Sequence, residues 1–463
     1  MTRWVRAPHL TRDLADELLV AAVDPSLGAP IRLNSTAVAI WRCLEEPVSV
    51  EDVVDRLSLP VDRATAVADV QSLVHHLVAE GVVQEAGPTP PELADQTGAA
   101  RPARGHAVMD DAPLWLHLAT LDPDAPGRGR DLADFGEDTA ATIEEIERMG
   151  SLGQLAHAID GGHVLATEDE RVLVQERWAA CQMHCLRVEQ MLLVALRRLE
   201  AAGVPHRLLK GVAVTHLDHP GPSWREFGDA DVLVPEGSWD AAVAAIESDA
   251  MFRSLFGEVT HPFGAEKGMT FLTPDGLMLD LHKRLNIAGL GARPVELLFD
   301  DGESFELGGM TVWALSRSAR LLHALLHWFS SKPIRRVTMR DLVELADADP
   351  DEVGAIAREL QLTGVAKRAA ELVGAELEEP ALLALAARLE PTPVERILAA
   401  RRGEQSLHRN VLWRELTGVM VTPGIWGRVR YVGRRLLPDE GFRDRRAVTW
   451  RTYAQVLTGR RVN

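Results

Sequence analysis

Near the middle of the chain, Asp229-Ala230-Asp231-Val232-Leu233-Val234 alternates acid with a small residue and then turns wholly apolar. Read as a strand, a period of two puts both carboxylates on one face, their Cα atoms about 6.5–7 Å apart. Two carboxylates so close repel unless a cation lies between them. On that reasoning, neutralising either one should leave thermal stability unchanged or higher. Hard oxygen ligands at this spacing suit Mg²⁺, which takes one or two carboxylates and completes its shell with waters and phosphate oxygens. A solvated strand face would carry the same pair by chance, so the neighbouring sequence has to decide. Upstream, Arg207-Leu208-Leu209-Lys210-Gly211 reads as a short strand running into a glycine turn, and Val212-Ala213-Val214-Thr215 opens a helix. Downstream, Gly276-Leu277-Met278-Leu279-Asp280-Leu281-His282 reads as a second apolar strand with one acid inside it.

A glycine turn, an acid pair on a strand and a third carboxylate on a later strand, in that order, resemble the nucleotidyltransferase superfamily. More narrowly, Leu209-Lys210-Gly211, Arg225, Gly228, Asp229, Asp231 and Leu281-His282 resemble the uncharacterised nucleotidyltransferases that carry a Lys-Gly turn. The resemblance implies an α/β (α+β) core with a small mixed sheet and helical additions. It also implies that Asp229, Asp231 and Asp280 are the catalytic and metal-holding carboxylates, with Mg²⁺ or Mn²⁺ as the ion. Lys210, Gly211, Arg225, Gly228 and His282 would then face an NTP co-substrate, ATP being the expected one. The turn departs from the wider superfamily, which usually has Gly-Ser or Gly-Gly where this chain has Lys210-Gly211-Val212. Phosphate contact must then come from backbone N–H groups at the helix start, aided by Lys210. Arg225 is placed either as a loop cation for the outgoing phosphates or in a surface salt bridge. His282 shares the face of Asp280, where it serves the phosphates or the acceptor, or stands as a satisfied structural histidine.

With 463 residues, 46% of them hydrophobic, the chain exceeds the 250–300 residues or so at which single cores stop growing. The expected division is 1–88, a linker at 89–136, a catalytic core at 137–312 and a helical region at 313–463. Residues 14–86 form the first unit. Leu18-Leu19-Val20-Ala21-Ala22-Val23 and Ala29-Pro30-Ile31-Arg32-Leu33 flank a Pro/Gly turn and predict a hairpin. Helices come next, one capped at Asn34 or Ser35, one at Ser49, and a third over 64–80 that buries Val67, Val70, Val74 and Leu77 and stops at Gly81. A hairpin leading into three helices, with Ile31-Arg32-Leu33-Asn34 before Ala39-Ile40-Trp41, resembles the PqqD-like, winged-helix-like fold. That resemblance implies capture of the leader of a ribosomally made precursor peptide. The peptide would add to the hairpin's free edge and lay apolar side chains against the third helix. An inert docking module and a DNA-binding winged helix are the rivals. Seven arginines and no lysine against 13 acidic residues in 1–86 repel phosphate backbones, so no DNA partner is expected.

Prolines at 88, 90, 91, 102, 113, 123 and 126 mark the linker, interrupted by one apolar island, Leu114-Trp115-Leu116-His117-Leu118. Few contacts should cross it, so removing residues 1–90 should spare the nucleotide site. A helical region over 139–202 is expected to cover the catalytic sheet, and 238–249 reads as a further helix before a mixed stretch with His261 and Lys267. Beyond Trp313, His323 and His327 stand at i, i+4 on an apolar helix, with Arg340-Asp341 on the next one; helix packing is the expectation for them, with metal ligation the alternative. Cys43, Cys181 and Cys185 are too few for a disulfide framework. Cys181 and Cys185 with His184 read as packed thiols in a helix rather than a zinc site. The net charge of −18 is uneven, because 401–463 holds 14 arginines against five acidic residues. That tail could meet a membrane surface, RNA phosphates or an acidic surface of its own chain. With no transmembrane segment and no apolar stretch behind the N-terminal charges, a cytoplasmic location is expected.

Together these readings predict a metal-dependent nucleotidyltransferase that modifies a ribosomal peptide, or another natural-product component, held by its N-terminal domain. The alternatives are a catalytically decayed peptide-binding scaffold and a phosphoryl transferase using the same site.

Overall fold

Asn34, Ser49 and Asp62 each begin a helix by turning a side-chain oxygen onto a backbone N–H that the first turn would leave orphaned. In the computed structural model, which describes residues 2–14, 17–57, 61–86, 113–122, 129–135, 138–254, 268–285, 295–330, 337–396, 399 and 429, Asn34 Oδ1 accepts from Ala37, Ser49 Oγ from Asp52 and Asp62 Oδ1 from Thr65. The helices are Ser35–Cys43, Val50–Leu57 and Arg63–Ala79. They bury Trp41, Val53, Val70, Val74 and Leu77 against a three-stranded antiparallel sheet, His9–Leu14, Glu17–Ala22 and Ile31–Leu33, in that order. Leu18 opposes Leu33 and Val20 opposes Ile31, which is the expected hairpin; the strand His9–Leu14 and a separate pair, Trp4–Arg6 with Val83–Glu85, are additions. Gly81, at φ 70°, ends the third helix.

The described residues fall into two compact units. The first takes those of Met1–Arg198, Gly211–Ala230 and Ser304–Val312, and the second those of Leu199–Lys210, Asp231–Glu303 and Trp313–Asn463. In the first, helices Thr139–Arg148, Leu152–Asp160 and Glu168–Ala201 occupy the expected helical region. The last has 34 residues, so it is about 50 Å long. Its middle packs on the N-terminal sheet. Arg12 donates to the fully buried Glu189, and Gln190 Nε2 donates to Ala22 O at 2.6 Å. The expectation of few contacts between 1–90 and the rest of the chain is therefore corrected: a buried carboxylate on the long helix is paired with an N-terminal arginine as well as with His216. The apolar island of the linker is itself a helix, Leu114–Thr120, with Leu114, His117 and Leu118 buried.

A seven-stranded mixed sheet runs in the order Arg253–Ser254, Gly268–Leu272, Met278–His282, Asp229–Leu233, Arg207–Leu209, Met310–Ala314, Glu303–Leu307. Arg207–Leu209 is antiparallel to Asp229–Leu233 and parallel to Met310–Ala314. In the second unit Trp239–Glu247 forms the expected helix, and five further helices, Arg317–Ser330, Val337–Leu345, Pro350–Glu359, Thr363–Glu376 and Pro380–Arg388, pack through Leu321, Leu322, Leu342, Val353, Val373 and Leu382. Two of them start with proline at the first helical position behind an acidic cap, Asp349 and Glu379. His323 lies buried in that packing, and Arg340 is buried in an ion pair with Glu344. No helix among the described residues is long and apolar enough to cross a membrane. Most of 89–136, His261, Lys267 and the basic tail, apart from Val429, lie outside the described residues.

Candidate active site

Strand Arg207–Leu209 passes straight into helix Lys210–Leu217, and the residue that absorbs the change of direction is Lys210, at φ 40°. That is left-handed backbone on a residue with a Cβ, which is uncommon and costs about 1–3 kcal/mol where it occurs. The sequence assigns the turn to Gly211, but the conformation of that glycine is not the reason for it. A Cβ at Gly211 would lie 2.9 Å from Cβ of Phe227 and 3.5 Å from Nη1 of Arg225. Glycine is there for space, so that the 225–227 segment can close on the helix start.

The strand register carries the chemistry. Leu209 pairs with Asp231, which sets Lys210 beside that carboxylate at the strand's end. Lys210 Nζ donates to Asp231 Oδ1 at 2.6 Å, and His282 Nε2 lies 2.6 Å from the same oxygen. Asp231 and His282 are both only 3% exposed. Burial by itself would raise the Asp231 carboxyl, but the Lys210 charge and the hydrogen bonds from His282 and Lys210 outweigh it and hold the carboxyl well below the usual carboxylate range. The expected repulsion between neighbouring acids is thus not what governs Asp231, because two cationic or potentially cationic partners already face it.

Asp280 and His282 lie two apart on Met278–His282, the strand next to Asp229–Leu233. Thr270, directly opposite Asp280 on Gly268–Leu272, donates its hydroxyl to Asp280 Oδ1. Gly268 opposes His282, and a Cβ there would fall 2.0 Å from Leu281 O, so this edge of the sheet needs glycine to close. One ligand atom each from Asp231, Asp280 and His282 lie within 4.8 Å of one another. Two carboxylates and an imidazole held that close on rigid strands fit a divalent cation. Thr270 and Gly268 escape a reading of the sequence because only the strand register pairs them with Asp280 and His282.

The remaining expected site residues belong to the first unit. Asp229 is half-buried at the start of its strand, on the face that alternation assigns to Asp231. Arg225 is 6% exposed, which removes the surface salt bridge as its role; its Nη1 donates to Glu226 O at 3.2 Å. Gly228 is exposed, and its carbonyl lies 3.4 Å from His184 Nε2. Glu226 is not singled out by any sequence pattern. Its carboxyl accepts from the Gly153 N–H, leaves its second oxygen buried without a hydrogen-bond partner among the described residues, and is pushed up by burial to about 7. Cys185 is buried, with its thiol at 3.5 Å from Phe227 O and pushed up by burial to about 12, so it is a packed thiol as expected.

A family model described as uncharacterised nucleotidyltransferase matches residues 139–374, and one described as coenzyme PQQ synthesis protein D (PqqD) matches residues 20–83. No curated protein matches. Among solved structures, the solution structure of the antibiotic-resistance factor ANT(2'')-Ia is 15% identical, covers 41% of this chain and 97% of that one, and has a TM-score of 0.26. The crystal structure of ANT(2'')-Ia with adenylyl-2''-tobramycin is 16% identical, covers 44% and 98%, and has a TM-score of 0.24. An antigenic nucleotidyltransferase-like protein from Paracoccidioides brasiliensis is 15% identical, covers 43% and 93%, and has a TM-score of 0.28. At TM-scores this low the likeness says nothing about substrate.

Proposed function

The chain belongs to the family of uncharacterised nucleotidyltransferases and carries an N-terminal PqqD domain, and from that premise we propose that it moves a nucleotidyl group from ATP to a ribosomally made peptide, or to another natural-product component, held by the PqqD domain. The observation that supports this most is the convergence of Asp231, Asp280 and His282 from two neighbouring strands, with the Lys210 ammonium on Asp231. The triphosphate would lie against the backbone N–H groups at the start of helix Lys210–Leu217, where the helix dipole favours negative charge. Arg225, whose guanidinium lies by Gly211, would neutralise the departing phosphates, and Gly228 and His282 would border the nucleotide.

Asp229, Asp231 and Asp280 would hold Mg²⁺ or Mn²⁺, which when bound supplies charge neutralisation at the phosphate oxygens. Asp280, oriented by the Thr270 hydroxyl, accepts the proton of the attacking hydroxyl or amine. The attacking atom then bonds to the α-phosphorus, the bond from that phosphorus to the bridging oxygen breaks, and pyrophosphate leaves with the electron pair. Lys210 gives up its contact with Asp231 and turns its ammonium to the phosphates.

Peptide capture has support from the position of Ile31–Leu33 at the end of the three-stranded order, where it can accept an added strand. Incubation of the full chain with Mg²⁺, each of the four NTPs and the peptides encoded beside its gene should give a peptide mass increase of one nucleotidyl group. An increase of one phosphoryl group would convert the assignment to the phosphoryl-transfer alternative, and no increase with any peptide or small acceptor would leave the scaffold reading.

A further inference from the structure

Imidazole is a poor ligand for Mg²⁺, which holds to oxygen, and a better one for first-row transition ions, among which Mn²⁺ is the one that also suits carboxylate ligands. Beside Lys210, an imidazole also faces Asp231, with His282 Nε2 2.6 Å from its Oδ1. We propose that His282 is itself a metal ligand through Nε2, and that Asp231, Asp280 and His282 form a mixed oxygen–nitrogen site that takes Mn²⁺ in preference to Mg²⁺, with the Lys210 ammonium as the cation it displaces. This rests on the nucleotidyltransferase reading above and specifies the ion at its site.

Three observations carry it. Ligands in adjacent octahedral positions, with bonds of about 2.1 Å, stand about 3 Å apart, and opposite ones about 4.2 Å. The ligand atoms of the three residues already fall within 4.8 Å of one another, so a shared ion needs only side-chain adjustment. Their backbones are fixed, since Asp280 and His282 share one face of Met278–His282, Asp231 is central in the next strand, and Gly268 lets the outer strand close over His282. Finally, Lys210 Nζ and His282 Nε2 both sit 2.6 Å from one oxygen, Asp231 Oδ1. A positive charge is thus already held where the three ligands meet. Exchange of that ammonium for a divalent ion leaves Asp231 compensated, and His282 Nε2, on giving up its proton to solvent or to Nδ1, turns from hydrogen-bond donor to Asp231 into donor of a lone pair.

The test is pulsed EPR of the full chain, stripped of metal and loaded with Mn²⁺ without nucleotide. A directly bound imidazole gives ¹⁴N modulation of the Mn²⁺ signal. The expected result is ¹⁴N modulation in the wild type and its loss in His282→Gln, with Mn²⁺ affinity falling by about tenfold or more and Mg²⁺ affinity, read by competition, changing by less than about threefold. Lys210→Met should bind Mn²⁺ more tightly, because the competing ammonium is gone. Bound Mn²⁺ without ¹⁴N modulation in the wild type overturns the proposal even if the variant does not fold, as does modulation that survives in a folded His282→Gln protein. The same preparations, run in the peptide mass-shift assay, separate the two readings. Transfer with oxygen-only Mn²⁺ ligation sinks the His282 assignment alone, whereas ¹⁴N-coupled Mn²⁺ with no transfer to any acceptor sinks the transferase reading alone.

Discussion

Replacing Asp231 by Asn should destabilise the protein, although repulsion between Asp229 and Asp231 viewed in isolation suggests the opposite. The substitution keeps size and shape but removes the negative charge on which Lys210 and His282 converge. Breaking a buried ion pair by removing one partner costs about 3–5 kcal/mol. Relief is available here, because the Lys210 side chain is 16% exposed and its ammonium can turn to water, while the Asn oxygen still accepts one hydrogen bond. The net expectation is about 2–3 kcal/mol. At about 2–4 °C per kcal/mol for a unit of this size, the melting midpoint should fall by about 5–10 °C at pH 7. Since the Asp231 carboxyl is held below its ordinary value, its stabilisation is present above about pH 4 and is lost as pH falls further. Wild type and variant should therefore converge in acid. Scanning calorimetry across that range, with Lys210→Met and the double variant closing a thermodynamic cycle, reads both the size and the partner. A midpoint for Asp231→Asn that is unchanged or higher at pH 7 would refute the reasoning and restore carboxylate repulsion as the dominant effect.

Glu226→Gln should act with the opposite sign. The raised Glu226 carboxyl makes the folded state lose stability as pH climbs from about 4.5 through about 7, so the variant should melt higher than wild type at pH 8, by about 2–3 kcal/mol in urea titrations, with no gain at pH 4. Gly211→Ala should cost about 1–3 kcal/mol by pushing Phe227 and Arg225 off the helix start, and NTP affinity measured by calorimetry should fall with it. Asp280→Asn, which under the proposal removes a metal ligand together with the general base, should lower kcat by at least about the 10²–10⁴-fold that a positioned base is worth, while Thr270→Val, which only frees Asp280 to reorient, should cost less. Arg12→Met should lower the melting midpoint by leaving the fully buried Glu189 with His216 in place of its arginine partner; an unchanged midpoint would return the N-terminal segment to the status of a removable module.

Local rules carried much of the fold because they concern neighbours in sequence. Asn34, Ser49 and Asp62 announce helix starts by their own chemistry, Gly81 announces a stop, and Val70, Val74 and Leu77 repeat at helical spacing. The alternation through Asp229–Leu233 and Met278–His282 was legible for the same reason. The strand His9–Leu14 was not, since its central residue Arg12 looks solvent-facing until Glu189, 177 residues away, is found to neutralise it. At the linker, proline frequency left the apolar island at Leu114 without an assigned conformation; it is a helix, Leu114–Thr120, with Leu114, His117 and Leu118 buried.

In the site, sequence spacing identifies which residues share a face but not what charge meets them there. Asp231 and Asp280 are recognisable as acids on strands, yet whether they repel, bind a metal or sit in ion pairs depends on register. Leu209 opposite Asp231 delivers Lys210, and Thr270 opposite Asp280 delivers a hydroxyl, and neither pairing can be had from spacing along one strand. The same register explains why the turn tolerates a lysine where the wider superfamily has a small residue. In that position the side chain has a buried carboxylate within 2.6 Å, and a charge-assisted bond to it, worth more than a neutral hydrogen bond, offsets left-handed backbone that a glycine would have adopted without strain. Under the proposed function the lysine is held by Asp231 only while no other cation claims that carboxylate, so the feature that departs most from the superfamily pattern would tie the proposed phosphate-binding turn to the charge state of the proposed metal ligands.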